Sequence, residues 1–194
     1  MKVLALLGSP RRDGNTEILA DAFLEGAEEA GAEADKVRLD ALNIRPIGEV
    51  IDVSNEREDV RADDDYPAAL ERFMDADVAV FATPVYWLGV SGQMKCFIDR
   101  FSCYFNRPEC ADRFTGKGYV VLCTYGCDEP NHGRWVTEPL KVAVNFLRGE
   151  YLGDVCASAY KKGAIREQPD VLDAARALGR ECVARMSEAT DGGE

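Results

Sequence analysis

The sequence predicts a three-layer α/β fold on a parallel sheet of five strands in the order 2-1-3-4-5. Three observations lead there. Continuous apolar runs at 3–7, 78–82 and 119–124 are what strands buried on both faces look like. Weaker alternating runs at 34–39 and 152–160 suit the sheet edges. Segments with apolar residues at helical spacing separate these runs, and right-handed crossovers then leave few topologies.

The elements follow in order. The run 3–7 is too short for a signal peptide's apolar region and breaks into Gly8-Ser9-Pro10-Arg11, so it reads as a strand. Residues 16–30 place Ile18, Leu19, Ala22, Phe23 and Ala27 on one helical face, with Gly31 as the stop. After the strand 34–39, residues 43–65 are rich in acids and read as a long surface excursion, a lid or part of a subunit interface. Further helices are expected at 67–74, 91–105, 136–147 and 170–186, and a frayed tail at 189–194. In the helix from 91, Ser91 is the expected N-cap, and Lys95 and Asp99 stand four apart. One domain, 1–188, is expected, since a chain of 194 residues buries a sizeable core without staples.

Composition excludes several classes. A formal charge of −12 argues against general nucleic-acid binding, which needs clustered Lys and Arg. No apolar stretch approaches a membrane span of about 20 residues. Seven cysteines, an odd number, point to a reducing compartment, the cytoplasm.

The most informative segment is Gly8-Ser9-Pro10-Arg11-Arg12-Asp13-Gly14-Asn15-Thr16, between the first strand and first helix. The N–H groups of a helix's first turn lack intrahelical partners and converge on an anion. Ser9, Asn15 and Thr16 add short donors, and Arg11 and Arg12 add charge. A P-loop would need Lys where Asn15 stands. A dinucleotide fingerprint would need closer glycines than Ser9-Pro10 allows, and a phosphatase loop would need a Cys. Two readings remain: a cradle for one phosphate monoester, or a polar loop capped by Asn15. The loop Pro84-Val85-Tyr86-Trp87 also has two readings. Its adjacent aromatics suit a planar heterocycle, or they plug the sheet end. Ligands of such sheets bind at the carboxyl ends of strands beside the switch point, which brings the loops 8–16, 83–91 and 124–134 together.

Together with Ser91-Gly92-Gln93-Met94-Lys95-Cys96-Phe97-Ile98-Asp99-Arg100-Phe101, these motifs resemble the NADPH-dependent FMN reductase and iron-sulfur flavoprotein family over about residues 1–160. The resemblance implies a flavodoxin-like fold, FMN as cofactor, NAD(P)H as reducing substrate and a homodimer or homotetramer. It implies that Ser9, Arg11, Asn15 and Thr16 hold the FMN phosphate. Pro84, Val85, Tyr86 and Trp87 would lie along the isoalloxazine, and Thr124, Tyr125, Gly126 and Cys127 would flank its other edge. One departure is plain. The iron-sulfur branch carries a cysteine cluster after the second strand, whereas residues 43–52 hold no Cys, so no cluster is expected there.

Cys96, Cys103 and Cys110 recur every seven residues, a spacing of about 10 Å along a helix, too far to share a metal. They read as core or interface residues. Cys123 and Cys127 allow a thiol–flavin or redox role or simple packing, and His132 allows contact with a nicotinamide or capping. The function expected is an FMN-dependent NAD(P)H oxidoreductase that passes hydride to a flavin, quinone or other small acceptor. The flavin carries that chemistry, so no catalytic side chain and no metal is required. The rivals are a non-catalytic electron carrier serving a redox partner protein and a flavin-based redox sensor.

Overall fold

Strand β1 (Lys2–Leu7) shows why the apolar run is continuous. Its even residues Leu4 and Leu6 enter one core and its odd residues Val3, Ala5 and Leu7 enter another. A computed structural model describes residues 1–48, 51–53, 56–59, 62–105, 107–129 and 131–191. The chain continues through α1 (Asn15–Glu29), β2 (Glu33–Arg38), a short hairpin β3 (Ile51–Val53) and β4 (Glu56–Glu58), and α2 (Tyr66–Asp75). There follow β5 (Val78–Pro84), α3 (Gly92–Asp99), α4 (Pro108–Phe114), β6 (Gly118–Tyr125), α5 (Arg134–Phe146), β7 (Glu150–Ser158) and α6 (Pro169–Asp191).

The main sheet runs β2-β1-β5-β6-β7 with every neighbour pair parallel, the expected order. One face is covered by α1 and α6 and the other by α2, α3 and α5. The first two helices cross where both backbones are bare. A Cβ on Gly26 would stand 2.0 Å from the Arg176 carbonyl oxygen, and one on Gly179 2.2 Å from that of Phe23. Among the described residues, no helix is long and apolar enough to cross a membrane.

Three expectations change. The helix expected at 91–105 stops at Asp99, passes into a 3-10 turn (Arg100–Cys103) and gives way to α4. Beyond the 3-10 turn, Pro108 lacks an N–H and holds Arg107 extended, at ψ 131°, so α4 starts as a separate helix with Pro108 in its first turn. Cys96, Cys103 and Cys110 therefore sit on three separate elements, with Cys103 and Cys110 packed in one core. The excursion at 43–65 is not all surface, because Asp59 and Asp64 are buried against Arg100. The helix α6 continues to Asp191, and the rest of the expected tail, like positions 49, 50, 54, 55, 60 and 61 of the excursion, lies outside the described residues.

Arg100, with no exposed surface, anchors that excursion. Its guanidinium donates to Asp59 Oδ2 from Nε (3.1 Å) and Nη2 (2.6 Å) and to Asp64 Oδ2 from Nη1 (2.6 Å). Tyr104 donates its hydroxyl to Asp59 at 2.8 Å, and the guanidinium lies 3.9 Å over the Tyr66 ring. Burial pushes the Asp64 carboxyl up. Hydrogen bonds from Arg100 and from the N–H groups of Arg45 and Tyr66 outweigh it and hold that carboxyl below its ordinary value.

Candidate functional site

A cavity of about 250 Å³ opens at the carboxyl ends of β1, β5, β6 and β7, on the side of the sheet's switch point. Ser9, Arg11, Asn15 and Thr16 line one end. Pro84, Val85, Tyr86, Thr124, Tyr125 and Gly126 line the other, and Ala159 and Tyr160 complete the wall.

The first end is built by the turn after β1. Gly14, not Asn15, is the N-cap of α1, and no side chain caps the helix. The polar loop capped by Asn15 is therefore not what forms. The first-turn N–H groups from Asn15 onward have no intrahelical acceptor. Ser9 Oγ accepts the Arg11 N–H at 3.2 Å, and Asp13, at φ +50°, directs its N–H to Glu17 at 2.8 Å. Thr16 Oγ1 and Thr124 Oγ1 lie 2.7 Å apart in a buried contact between α1 and β6.

Asn15 works differently from a phosphate donor. Its Nδ2 donates to the carbonyls of Ala159 (2.7 Å) and Lys161 (2.9 Å), and its Oδ1 accepts the Ile165 N–H at 3.3 Å. Both amide protons are used within the protein, so Asn15 offers a ligand its backbone N–H alone. The side chain instead fixes the segment after β7 against the cradle. Arg11, Arg12, Lys161 and Lys162 are all exposed on these two joined loops and give the anion end a positive surround in an acidic chain.

At the ring end, the Val85 N–H extends the ladder to the Thr124 carbonyl (2.8 Å), and Thr83 Oγ1 accepts the Ser91 N–H at 3.0 Å. Ser91 caps α3 as expected, its Oγ accepting the Met94 N–H at 3.2 Å. Between them Tyr86 and Gly89 exchange N–H···O bonds of 2.9 and 3.1 Å around Trp87 (φ +48°) and Leu88 (φ +62°). This is a two-residue turn with both central residues left-handed, which bulky side chains rarely adopt.

The structure brings together ten of the twelve residues assigned to the site by resemblance and leaves out two. Trp87 is fully exposed at the turn tip and does not line the cavity, because its left-handed backbone carries the indole away from the wall. Cys127 lies beyond the lining; its carbonyl accepts the Ser158 hydroxyl at 2.7 Å. Cys123 pairs in register with Cys156, not with Cys127. Contact with the Cys156 sulfur and burial push its thiol far up, which makes it inert. His132 stands behind the site, its ring 5.6 Å from Tyr125 and its Nδ1 3.5 Å from Glu129. Sequence reasoning missed Ala159 and Tyr160, although the rule that ligands sit at carboxyl ends of strands applies equally to β7.

An uncapped helix start beside an open slot suits a flavin monophosphate by the chemistry of its lining: backbone donors, the Ser9 and Thr16 hydroxyls and Arg11 for the phosphate, and the backbone of 84–86 and 124–126 for a flat ring. The fold is thus that of a flavodoxin-like protein, with an uncapped helix start facing the cavity at the carboxyl ends of its strands. Residues 1–163 match the model of the NADPH-dependent FMN reductase family, and the chain belongs to that family. It is accordingly an FMN-dependent oxidoreductase.

Two relatives frame it. One, YwqN of Bacillus subtilis, provisionally named an NAD(P)H-dependent FMN-containing oxidoreductase, is 28% identical over 92% of this chain and 96% of its own. An iron-sulfur flavoprotein of Archaeoglobus fulgidus is 33% identical over 84% of this chain and 76% of its own. In the present chain the first cysteine is Cys96. Among solved structures, the Trp repressor binding protein of Bacillus subtilis aligns with a TM-score of 0.68 at 24% identity, covering 91% of this chain and 96% of that one. This likeness shows the fold.

Proposed function

We propose that the chain is an NAD(P)H-dependent FMN oxidoreductase that takes hydride from a nicotinamide and delivers it to a flavin, quinone or other small acceptor. The observation that carries this reading is one cavity with an anion cradle at one end and an aromatic mouth at the other, where Tyr86 is 42% and Tyr160 80% exposed. A mouth of that kind leaves room for a second planar ring.

FMN, when bound, supplies the hydride-accepting ring. Ser9, Thr16, Arg11 and the first-turn N–H groups of α1 would hold its phosphate, and the backbone of 124–126 would face the ring edge. Oriented N–H dipoles there would favour the charge of the reduced ring. Tyr86 and Tyr160 would limit water at the mouth. No side-chain acid or base is needed.

Steady-state oxidation of NADPH and NADH by FMN-loaded protein, with and without added quinone, tests this. Turnover that requires FMN and falls with Arg11→Glu supports the reading. Nicotinamide left unoxidised in the presence of every acceptor contradicts it and favours an electron carrier.

A further inference from the structure

Tyr160 is an aromatic side chain of the cavity wall whose backbone is fastened on both sides. The Ala159 N–H donates to the Tyr125 carbonyl at 2.8 Å, and the carbonyls of Ala159 and Lys161 both accept from Asn15 Nδ2, at 2.7 and 2.9 Å. Just before them, the Ser158 hydroxyl donates to the Cys127 carbonyl and the Ser158 carbonyl accepts from Gln168 Nε2, each at 2.7 Å. The Tyr160 ring rests on Gly126, where a Cβ would stand 3.1 Å from its Cδ2. Yet the residue is 80% exposed. A large ring left open on so firmly held a backbone, in the wall of a cavity, is available to stack a flat ligand.

The charge beside that ring is unusual for this chain. Elsewhere cations are matched: Arg38, Arg72, Arg113, Arg176 and Arg180 each meet a carboxylate at 2.5 to 2.9 Å. Arg11, Arg12, Lys161 and Lys162 meet none among the described residues, and all four are exposed. The loops that carry them, 8–14 and 159–163, hold one acid, Asp13, and are joined by Asn15. One phosphate monoester brings no more than about two negative charges. Arg11, which lines the cavity, and the first-turn N–H groups of α1 already serve it. Arg12, Lys161 and Lys162 exceed that need.

We propose that Tyr160 and the two lysines after it form the electron-acceptor subsite, and that its preferred occupant is a planar aromatic acceptor bearing an acid group, such as a sulfonated or carboxylated quinone. The inference rests on the acceptor half of the function proposed above. The quinone ring stacks on Tyr160 and its acid group meets Lys161 or Lys162. Such a quinone takes two electrons and one proton as hydride and a second proton from water, and leaves as the hydroquinone with reoxidation of the flavin. A chain of net charge −12 repels an anion over most of its surface, so a local cationic rim steers it to the mouth.

The oxidative half-reaction tests this apart from any nicotinamide. FMN-loaded protein, reduced with stoichiometric dithionite, is mixed anaerobically with a neutral naphthoquinone or with its sulfonate, and return of the oxidised flavin band is followed. The quantity read is the sulfonate-to-neutral ratio of rate constants, in which the fraction of protein carrying FMN cancels. That ratio should fall about tenfold in Lys161→Glu/Lys162→Glu, and fall with added salt in the wild type. Lys161→Gln/Lys162→Gln should lower it in the same direction and stands in should the charge reversal fail to fold. Tyr160→Ala should slow both quinones and leave the ratio as it was. Naphthalenesulfonate, which is redox-inert, gives a readout without turnover: it should perturb the oxidised flavin band of the wild type and bind about tenfold more weakly after charge reversal. A protein that fails to oxidise NADH or NADPH but shows these ratios upholds the subsite and sinks only the nicotinamide reading. A ratio indifferent to salt and to both lysine variants overturns the proposal. So does a charge reversal that slows reduction by NADPH while the ratio holds, since the cations would then serve the nicotinamide's phosphates.

Discussion

Thr16 and Thr124 face each other with their hydroxyl oxygens 2.7 Å apart, both residues buried, so one hydrogen bond ties the anion end of the cavity to the ring end. Thr124→Val keeps the shape but leaves the Thr16 hydroxyl without that partner. A buried unsatisfied hydroxyl costs about 1–3 kcal/mol. The expected outcome is a melting temperature lowered by several degrees and weaker FMN binding, read by thermal melting and flavin fluorescence quenching. An unchanged melt with unchanged affinity would show that the bond does not matter.

Asn15 offers a sharper contrast. Asn15→Asp cannot donate to the Ala159 and Lys161 carbonyls and places a negative charge in the cradle. Asn15→Ala loses the same bonds without the charge. Both variants should lose about 2–3 kcal/mol of stability in urea titrations. FMN affinity should fall far more in Asn15→Asp than in Asn15→Ala; equal losses would mean that the phosphate does not sit there.

The Arg100 cluster sets the response to acid. The Asp64 carboxyl titrates below its unfolded value, so its contribution to stability is complete above the ordinary carboxylate range and lost as pH falls through the folded value. Asp64→Asn should flatten the acid limb of the stability profile. Arg100→Met leaves two buried carboxylates facing each other and should cost about 3–5 kcal/mol at neutral pH, measured by denaturant unfolding.

Lys117 works in the opposite range. The residue is 6% exposed, and its ammonium donates to the carbonyls of Ala76 and Met74 at the end of α2; burial pushes its pKa down to about 8. The unfolded chain, with lysine near its ordinary value of about 10.4, then binds more protons between those two values, so this residue's contribution to stability rises with pH across that window. Relative to Lys117→Met, the wild type should gain of order 2–3 kcal/mol between about pH 7 and about pH 10. A difference that stays flat would show that the buried lysine keeps its proton.

The sheet was legible because its central strands are buried on both faces and its edges are not, a contrast that Val3 to Leu7 and Glu33 to Arg38 show plainly. The cradle was legible because helix starts advertise themselves in Gly, Ser, Asn and Thr. The role of Asn15 was not, since its partners Ala159, Lys161 and Ile165 lie some 150 positions away and act through backbone atoms that no side-chain pattern reveals. Asp59 and Asp64 read as solvated acids for a similar reason: only the folded chain brings Arg100 to them. Trp87 was misplaced because nothing in Tyr-Trp-Leu-Gly signals two successive left-handed residues.

The most direct test of the account is the anaerobic visible spectrum of FMN-loaded protein as NADPH, and separately NADH, is added. The account predicts rapid bleaching of the oxidised flavin band by at least one nicotinamide and its return when a quinone is supplied. A flavin that stays oxidised with both nicotinamides, yet bleaches with dithionite, would contradict it.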